Sequence, residues 1–259
     1  MSRIAFTKGH GTGNDFIIIL DPENQIALSE QQIQRLCDRH FGIGADGVLH
    51  AVQESLWFMD YRNRDGSVAE MCGNGIRVFA EFLYRHEFIS ESAQIGTRAG
   101  VKHVERNGAD SWSVNMGNAQ IFAEWIDVKL GNDAFKARSV NVGNPHLVVE
   151  VASLSVLPAT LLWDDVADVP SHPEGFNLEF YEVLSESLVS MRVLERGVGE
   201  TLSCGTGVCA VAQVHMQARN LGMCEVKVPG GQLMVQESSG ELVLTGPVEL
   251  IADGFVELT

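Results

Sequence analysis

The chain reads as an α/β protein built from two similar halves, each a curved sheet wrapped on a central helix, and three observations carry that reading. Runs rich in β-branched and aromatic residues dominate the sequence. Helical spacing of apolar residues follows each of two Cys-Gly-x-Gly turns. Two motifs also recur at nearly one offset. Met71-Cys72-Gly73-Asn74-Gly75-Ile76 is echoed by Ser203-Cys204-Gly205-Thr206-Gly207-Val208, 132 residues on. Gly13-Asn14-Asp15-Phe16-Ile17 is echoed by Gly143-Asn144-Pro145-His146-Leu147, 130 residues on. Two echoes at nearly one spacing indicate a duplicated unit with its boundary near residue 118.

In chain order, residues 16–20 form an apolar β-type run, and Ser29 with Gln32 makes a capping box that opens a helix to about Arg39. An apolar run at 48–52 and a strand at 56–61 follow. The helix after Cys72 carries Ile76, Phe79, Ala80 and Leu83 on one face. In the second half, strands at 146–151, 177–184 and 188–194 precede the helix after Cys204, whose core face is Val208, Val211, Ala212 and His215. Further short strands close the chain.

The 259 residues are 45% hydrophobic and 20% charged, a globular profile. A net charge of −16 opposes nucleic acid and anionic membrane partners. No run approaches the roughly 20 apolar residues of a membrane span, and the first residues lack a signal-peptide pattern, so a cytoplasmic protein is expected. Five scattered cysteines form no disulfide framework and suit a reducing compartment.

Cys72 and Cys204 stand apart from Cys37, Cys209 and Cys224, which lack glycine context and read as inert core. A thiol at a helix N-terminus is favoured as thiolate by the helix dipole, which lowers its pKa from about 8.5. The following glycines let backbone N–H groups approach a carboxylate. A small buried residue in a Gly-rich cap would account for either cysteine alone, but not for their duplication. If the halves face each other, two thiols flank one ligand, as inversion of a stereocentre requires: one removes the α-proton and the other delivers a proton to the opposite face. Helix N-termini aimed at the adjacent carboxylate would stabilise the carbanion. No cofactor and no metal motif is evident. Gly42-Ile43-Gly44-Ala45-Asp46-Gly47 fits the dinucleotide fingerprint, but it follows a helix and enters the apolar run 48–52, whereas the fingerprint follows a strand and opens a helix.

The stretches Lys8 to Phe16, Arg39 to Gly47, Met71 to Gly75 and Glu195 to Gly207 resemble diaminopimelate epimerase in order and over nearly the whole chain. That resemblance implies two pseudo-symmetric domains with mostly antiparallel sheets, residues 1–118 joined by a C-terminal strand at 250–259, and residues 119–249. It implies interconversion of LL- and meso-diaminopimelate without pyridoxal phosphate, in lysine and peptidoglycan-precursor synthesis, by a homodimer. Cys72 and Cys204 match the acid/base pair. Gly73, Asn74, Gly205 and Thr206 match the groups that hold the reacting carboxylate. Asn63, Asn144, Asn177 and Arg196 match those that read the distal end, with Glu195 available to an ammonium group. Asn14 belongs to the first motif, and His146 resembles a side chain close to the thiols. Asn63 and Asn177 would also serve as plain turn residues. Gly47 departs from the family, some of whose members carry a substrate-contacting glutamine there.

Two rivals have the same architecture or scaffold. A proline racemase or hydroxyproline epimerase would place histidine at Asn74 and an Asp-Arg-Ser-Pro run before the second cysteine, where this chain has Gly-Glu-Thr-Leu-Ser. A non-catalytic amino-acid binder would not need two opposed acid/base groups, and a thiol redox switch would show a resolving pair close in sequence.

Overall fold

The computed structural model describes residues 2–169, 172 and 175–258. Met1 and Thr259, the ends of the expected first domain, lie outside the described residues. The chain divides into two compact units: one runs to Val114 and regains the chain from Gly246, and the other is Asn115–Thr245.

The first unit contains β1 (Ser2–Gly11), β2 (Asn14–Leu20), α1 (Glu30–Cys37), β3 (Gly47–Gln53), β4 (Trp57–Asn63), α2 (Gly73–Arg85), β5 (Ser92–Thr97), β6 (Gly100–Arg106) and most of β7 (Ser111–Gly117). The second contains β8 (Gln120–Leu130), β9 (Asp133–Asn141), β10 (Pro145–Glu150), β11 (Val166–Ala167), β12 (Asn177–Ser185), β13 (Leu188–Glu195), β14 (Gly199–Thr201), α3 (Gly205–Arg219), β15 (Met223–Val228), β16 (Gly231–Ser238) and β17 (Glu241–Pro247). The last strand, β18 (Glu249–Leu258), pairs antiparallel with β1 in the first unit.

Strand pairing repeats the duplication read from the motifs. In the first unit β1–β2, β3–β4, β5–β6 and β6–β7 are antiparallel, while β2–β3 and β4–β5 are parallel. In the second unit β9–β10, β12–β13, β15–β16 and β16–β17 are antiparallel, while β10–β12 and β13–β15 are parallel. Thus β18 lies on β1 as β8 lies on β9. Parallel neighbours need long crossovers. Three of these carry α1, α2 and α3. The fourth is the connection from β10 to β12, which includes the 3-10 turns Leu154–Val156 and Trp163–Asp165.

Both central helices are swallowed by their sheets. Residues 73–83 of α2 are all buried, and α2 contacts β1, β2, β3, β4 and β18. In α3 the expected core face, Val208, Val211, Ala212 and His215, has no exposure. Strand β2 buries Phe16, Ile17, Ile18 and Ile19 in succession because layers cover both of its faces. On the side away from α2, Ile17, Ile19 and Val48 pack against Ile33 and Leu36 of α1. In the second unit Leu147, Val149 and Phe180 pack against Leu157 and Leu161 of the long connection. Each fully buried side chain contributes about 1.5–3 kcal/mol of transfer free energy.

Helix α1 has the expected capping box: Gln32 N–H donates to Ser29 Oγ, and Ser29 N–H to Gln32 Oε1. It stops at Cys37, two residues short of the expectation. Asp38 leaves the helix and turns its carboxylate onto the His40 and Phe41 N–H groups. The Gly-rich loop then wraps the helix end, with Ile43 and Gly44 N–H donating to the Leu36 carbonyl. A Cβ on Gly42 would lie 1.9 Å from the Arg35 carbonyl oxygen, so the first glycine is demanded by chain packing and no nucleotide is needed to explain it.

Candidate active site

In the first unit Cys72 is the N-cap of α2, with extended backbone at φ −139° and ψ 121°. Gly75 N–H donates to its sulfur at 3.4 Å, and its thiol donates to Asn14 Oδ1 at 3.5 Å. Asn74 Nδ2 reaches the same oxygen at 3.5 Å. The Asn14 amide is held from behind by Asp46 Oδ2 at 2.9 Å. Arg39 in turn bridges Asp46 and Asp15, the latter with both guanidinium arms, and Lys8 pairs with Asp15 at 2.6 Å. The motifs Lys8 to Phe16 and Arg39 to Gly47 therefore converge on one ion network that orients Asn14 beside the thiol. Burial opposes the Asp15 charge, but hydrogen bonds from Arg39 and Lys8 prevail and hold its carboxyl at about 2.

Below the first turn of α2 lies the fully buried Arg77, which donates to the Gly73 carbonyl at 2.8 Å and to Asn74 Oδ1 at 2.9 Å. The floor beside Gly75 is apolar: an added Cβ there would lie 3.4 Å from Leu49 and from Phe16.

In the second unit Cys204 is the N-cap of α3 and is buried. Its sulfur lies 3.5 Å from Thr206 Oγ1. Glu195, at the end of β13, accepts from the Thr201 hydroxyl and from the Cys204 thiol. His146 and Glu179 form a fully buried pair with Nδ1 to Oε1 at 2.6 Å, and His146 Nε2 faces Asn144 Oδ1 at 3.0 Å. The dipole of α3 alone would lower the Cys204 pKa, but the surroundings of the thiol reverse that expectation. Burial, then the neighbouring Glu195 and Glu179, push this thiol well above its ordinary value, opposite to the effect of the dipole. Burial likewise raises Glu195. The inert reading of the other cysteines fits their surroundings: Cys37, Cys209 and Cys224 are buried, and burial pushes Cys37 and Cys224 up to about 12.

The substrate-binding candidates fall into two groups. Asn14, Gly73 and Asn74 gather at Cys72; Glu195, Gly205 and Thr206 gather at Cys204, and Asn144 with His146 is tied to Glu179 beside the first turn of α3. Asn177 and Arg196 adjoin each other, since Asn177 Oδ1 accepts from Arg196 N–H at 2.9 Å, and the Arg196 side chain is exposed. Asn63 donates to Ser67 Oγ at 3.0 Å within a turn and makes no described contact with Cys72. At Gly47 a Cβ would lie 2.6 Å from both the Arg62 carbonyl and the Tyr61 ring, so no side chain enters there without a backbone shift. Sequence reasoning missed Asp46, Arg77 and Glu179. Only Glu179 left a signal, as an acid inside the apolar strand Asn177-Leu178-Glu179-Phe180-Tyr181. Among the described residues no cluster of three or more His, Cys, Asp or Glu side chains could hold a metal, and no helix is long and apolar enough to cross a membrane.

The diaminopimelate epimerase family model matches residues 6–122 and 138–251. The chain belongs to that family. It is 44% identical over 277 residues to a diaminopimelate epimerase of Streptomyces coelicolor, covering 98% of this chain and 95% of that one. With a diaminopimelate epimerase of Thermobifida fusca the identity is 39%, with 98% of each chain covered. Among solved structures, a phenazine biosynthesis protein of the PhzF family from Enterococcus faecalis superposes with a TM-score of 0.77 at 14% identity, over 99% of this chain and 100% of that one. A probable proline racemase from Agrobacterium radiobacter gives 0.74 at 12%, over 99% and 93%. These last two share the fold. Membership of the diaminopimelate epimerase family makes the chain an isomerase of the epimerase type.

Proposed function

We propose that the chain epimerises LL-diaminopimelate to meso-diaminopimelate by a two-base reaction in which Cys72 and Cys204 are the acid/base pair. The observation that carries this reading is the equivalence of the two cysteines. Each is the N-cap of its unit's central helix, and each opens a Gly-x-Gly first turn. The names of the relatives supply the substrate.

One thiolate takes the α-proton while the other thiol protonates the opposite face, so the carbanion is consumed with inversion. The substrate carboxylate is received by the first-turn N–H groups of Gly73-Asn74 and Gly205-Thr206, which also stabilise the charge that spreads onto it. Cys204, held protonated among buried acids, is the donor for one direction, and Cys72 is then the base. Arg196 reads the distal carboxylate with its planar fork, alongside Asn63, Asn144 and Asn177, while Glu195 serves an ammonium group. Asn14 orients the Cys72 thiol. No cofactor takes part in this scheme. The reading extends to a cytoplasmic homodimer that supplies a precursor for lysine and peptidoglycan, and its support there is family membership.

Single Cys72→Ala and Cys204→Ala variants, checked for folding by circular dichroism, test it with an assay that separates the LL and meso isomers. Loss of more than about 10³-fold is expected for each, the upper part of what one positioned acid/base group contributes. A folded variant of either kind with near-parental turnover would overturn the two-thiol scheme.

A further inference from the structure

The two thiols stand on the same framework but over different floors. Register places Leu49 beside Ile18 in the first unit and Glu179 beside Val148 in the second, so Glu179 occupies the position equivalent to Leu49. By the same comparison His146 takes the place of Phe16. An apolar pair under one helix start has thus become a polar pair under the other. Both polar side chains have no exposure, and Glu179 lies against the first turn of α3, where a Cβ on Gly207 would stand 2.6 Å from Glu179 Oε1. A buried pair that an apolar one could replace is a net cost unless it does something.

We propose that Glu179 is a positioning residue: it shares one proton with His146 Nδ1 and so keeps His146 Nε2–H donating to Asn144 Oδ1, which fixes the Asn144 amide for substrate. The proton count follows from the contacts. Asn144 Oδ1 is an acceptor, so Nε2 carries a hydrogen. The 2.6 Å contact between Nδ1 and Glu179 Oε1 then holds a single proton, and ring and carboxyl together are neutral. Glu179 Oε2 is buried with no hydrogen-bond partner among the described residues, a condition that a neutral pair tolerates and an isolated carboxylate does not. The ring is thereby clamped at both nitrogens, and an amide whose oxygen is engaged presents its Nδ2–H groups outward. Other polar groups at this end of the unit are Asn177, beside His146 across β10 and β12, Glu195 with its Thr201 partner, and Cys204 with Thr206.

The inference rests on the reading of Asn144 as a substrate group, and its test therefore includes a measurement that needs no turnover. In ¹⁵N-histidine-labelled protein, the His146 Nε2–H resonance should persist from pH 6 to 9. A ring that titrates freely through the ordinary histidine range overturns the clamp, whether or not diaminopimelate is turned over. Glu179→Gln can donate to Nδ1, so it should keep the single tautomer and a near-parental KM at neutral pH. Glu179→Leu, which copies the other unit, should stay folded but lose the tautomer and raise KM about tenfold, the weight of one hydrogen bond to substrate. A space-filling role predicts the opposite order, with leucine tolerated as Leu49 is. Parental kinetics in Glu179→Leu, or a tautomer lost in Glu179→Gln, would refute the proposal.

Discussion

Gly75 and Gly207 hold the same place in the first turns of α2 and α3, yet alanine should affect them in opposite directions. Glycine inside a helix costs about 0.5–1 kcal/mol relative to alanine, so the backbone term favours both substitutions equally. Space decides the outcome. At Gly75 the new Cβ would meet Cys72 Cβ, Leu49 Cδ2 and Phe16 Cζ at 3.4 Å each, ordinary contact distances. At Gly207 it would meet Glu179 Oε1 at 2.6 Å, with Cδ and Cγ at 3.3 Å. A glutamate on the surface would swing aside. This one has no exposure and is tied to His146, so relief requires breaking that buried hydrogen bond or shifting the helix. Overpacking of this kind costs about 1–3 kcal/mol, and an orphaned buried partner a further 1–3 kcal/mol. Gly75→Ala should therefore be neutral to about 1 kcal/mol stabilising, and Gly207→Ala destabilising by about 1–5 kcal/mol net of the backbone gain. Urea denaturation followed by tryptophan fluorescence, with the slope checked for constancy, reads the difference. Equal midpoints for the two variants would show that Glu179 is not lodged against α3 as described.

Three further outcomes are expected. Asp15→Asn should lose on the order of 2 kcal/mol at neutral pH, from the fall of the Asp15 carboxyl from 3.8 to about 2. A carboxyl depressed in the folded state stabilises above its unfolded value and loses that contribution as pH falls through the folded one. The gap between parent and variant should thus be full above about pH 5 and vanish by about pH 1, and a gap unchanged on acidification would contradict the ion network. Alanine at Cys37 or Cys224 should leave epimerisation within about twofold of the parent while lowering stability, because these thiols are buried and protonated; strong loss of turnover in a folded variant would reopen their role. Arg196→Lys should raise KM for diaminopimelate at least about tenfold, since a point-like ammonium cannot reproduce the bidentate fork, and an unchanged KM would remove Arg196 from the distal site.

The strands and helices were legible because they rest on local signals. The run Phe16-Ile17-Ile18-Ile19, the Ser29-Gln32 box and the apolar faces of α2 and α3 each dictate an element without reference to distant residues. The duplication was legible because both cysteine turns kept their glycines. What escaped depends on contacts across strands. Asp46 sits in a loop that resembles a nucleotide fingerprint, and only the fold brings it to Asn14. Arg77 follows the Cys72 turn as an ordinary helix cation, and nothing local reveals that it is buried beneath that turn. The Cys204 thiol shows the limit of a one-element argument: the dipole of α3 favours the thiolate, but burial with Glu179 and Glu195, contributed by β12 and β13, outweighs it.

The most direct test of the two-thiol account follows the fate of hydrogen during turnover in deuterated water with no cofactor added. LL-diaminopimelate is given to the enzyme under reducing conditions, and the residual substrate and the meso product are separated at low conversion. With different groups on the two faces, the proton removed by one thiol is not the one returned by the other. The account predicts that the product carries one solvent deuterium at the inverted carbon while the recovered LL substrate stays protiated. Deuterium appearing in recovered substrate as fast as in product would mean that a single group serves both faces, and the assignment of Cys72 and Cys204 as an opposed pair would be wrong.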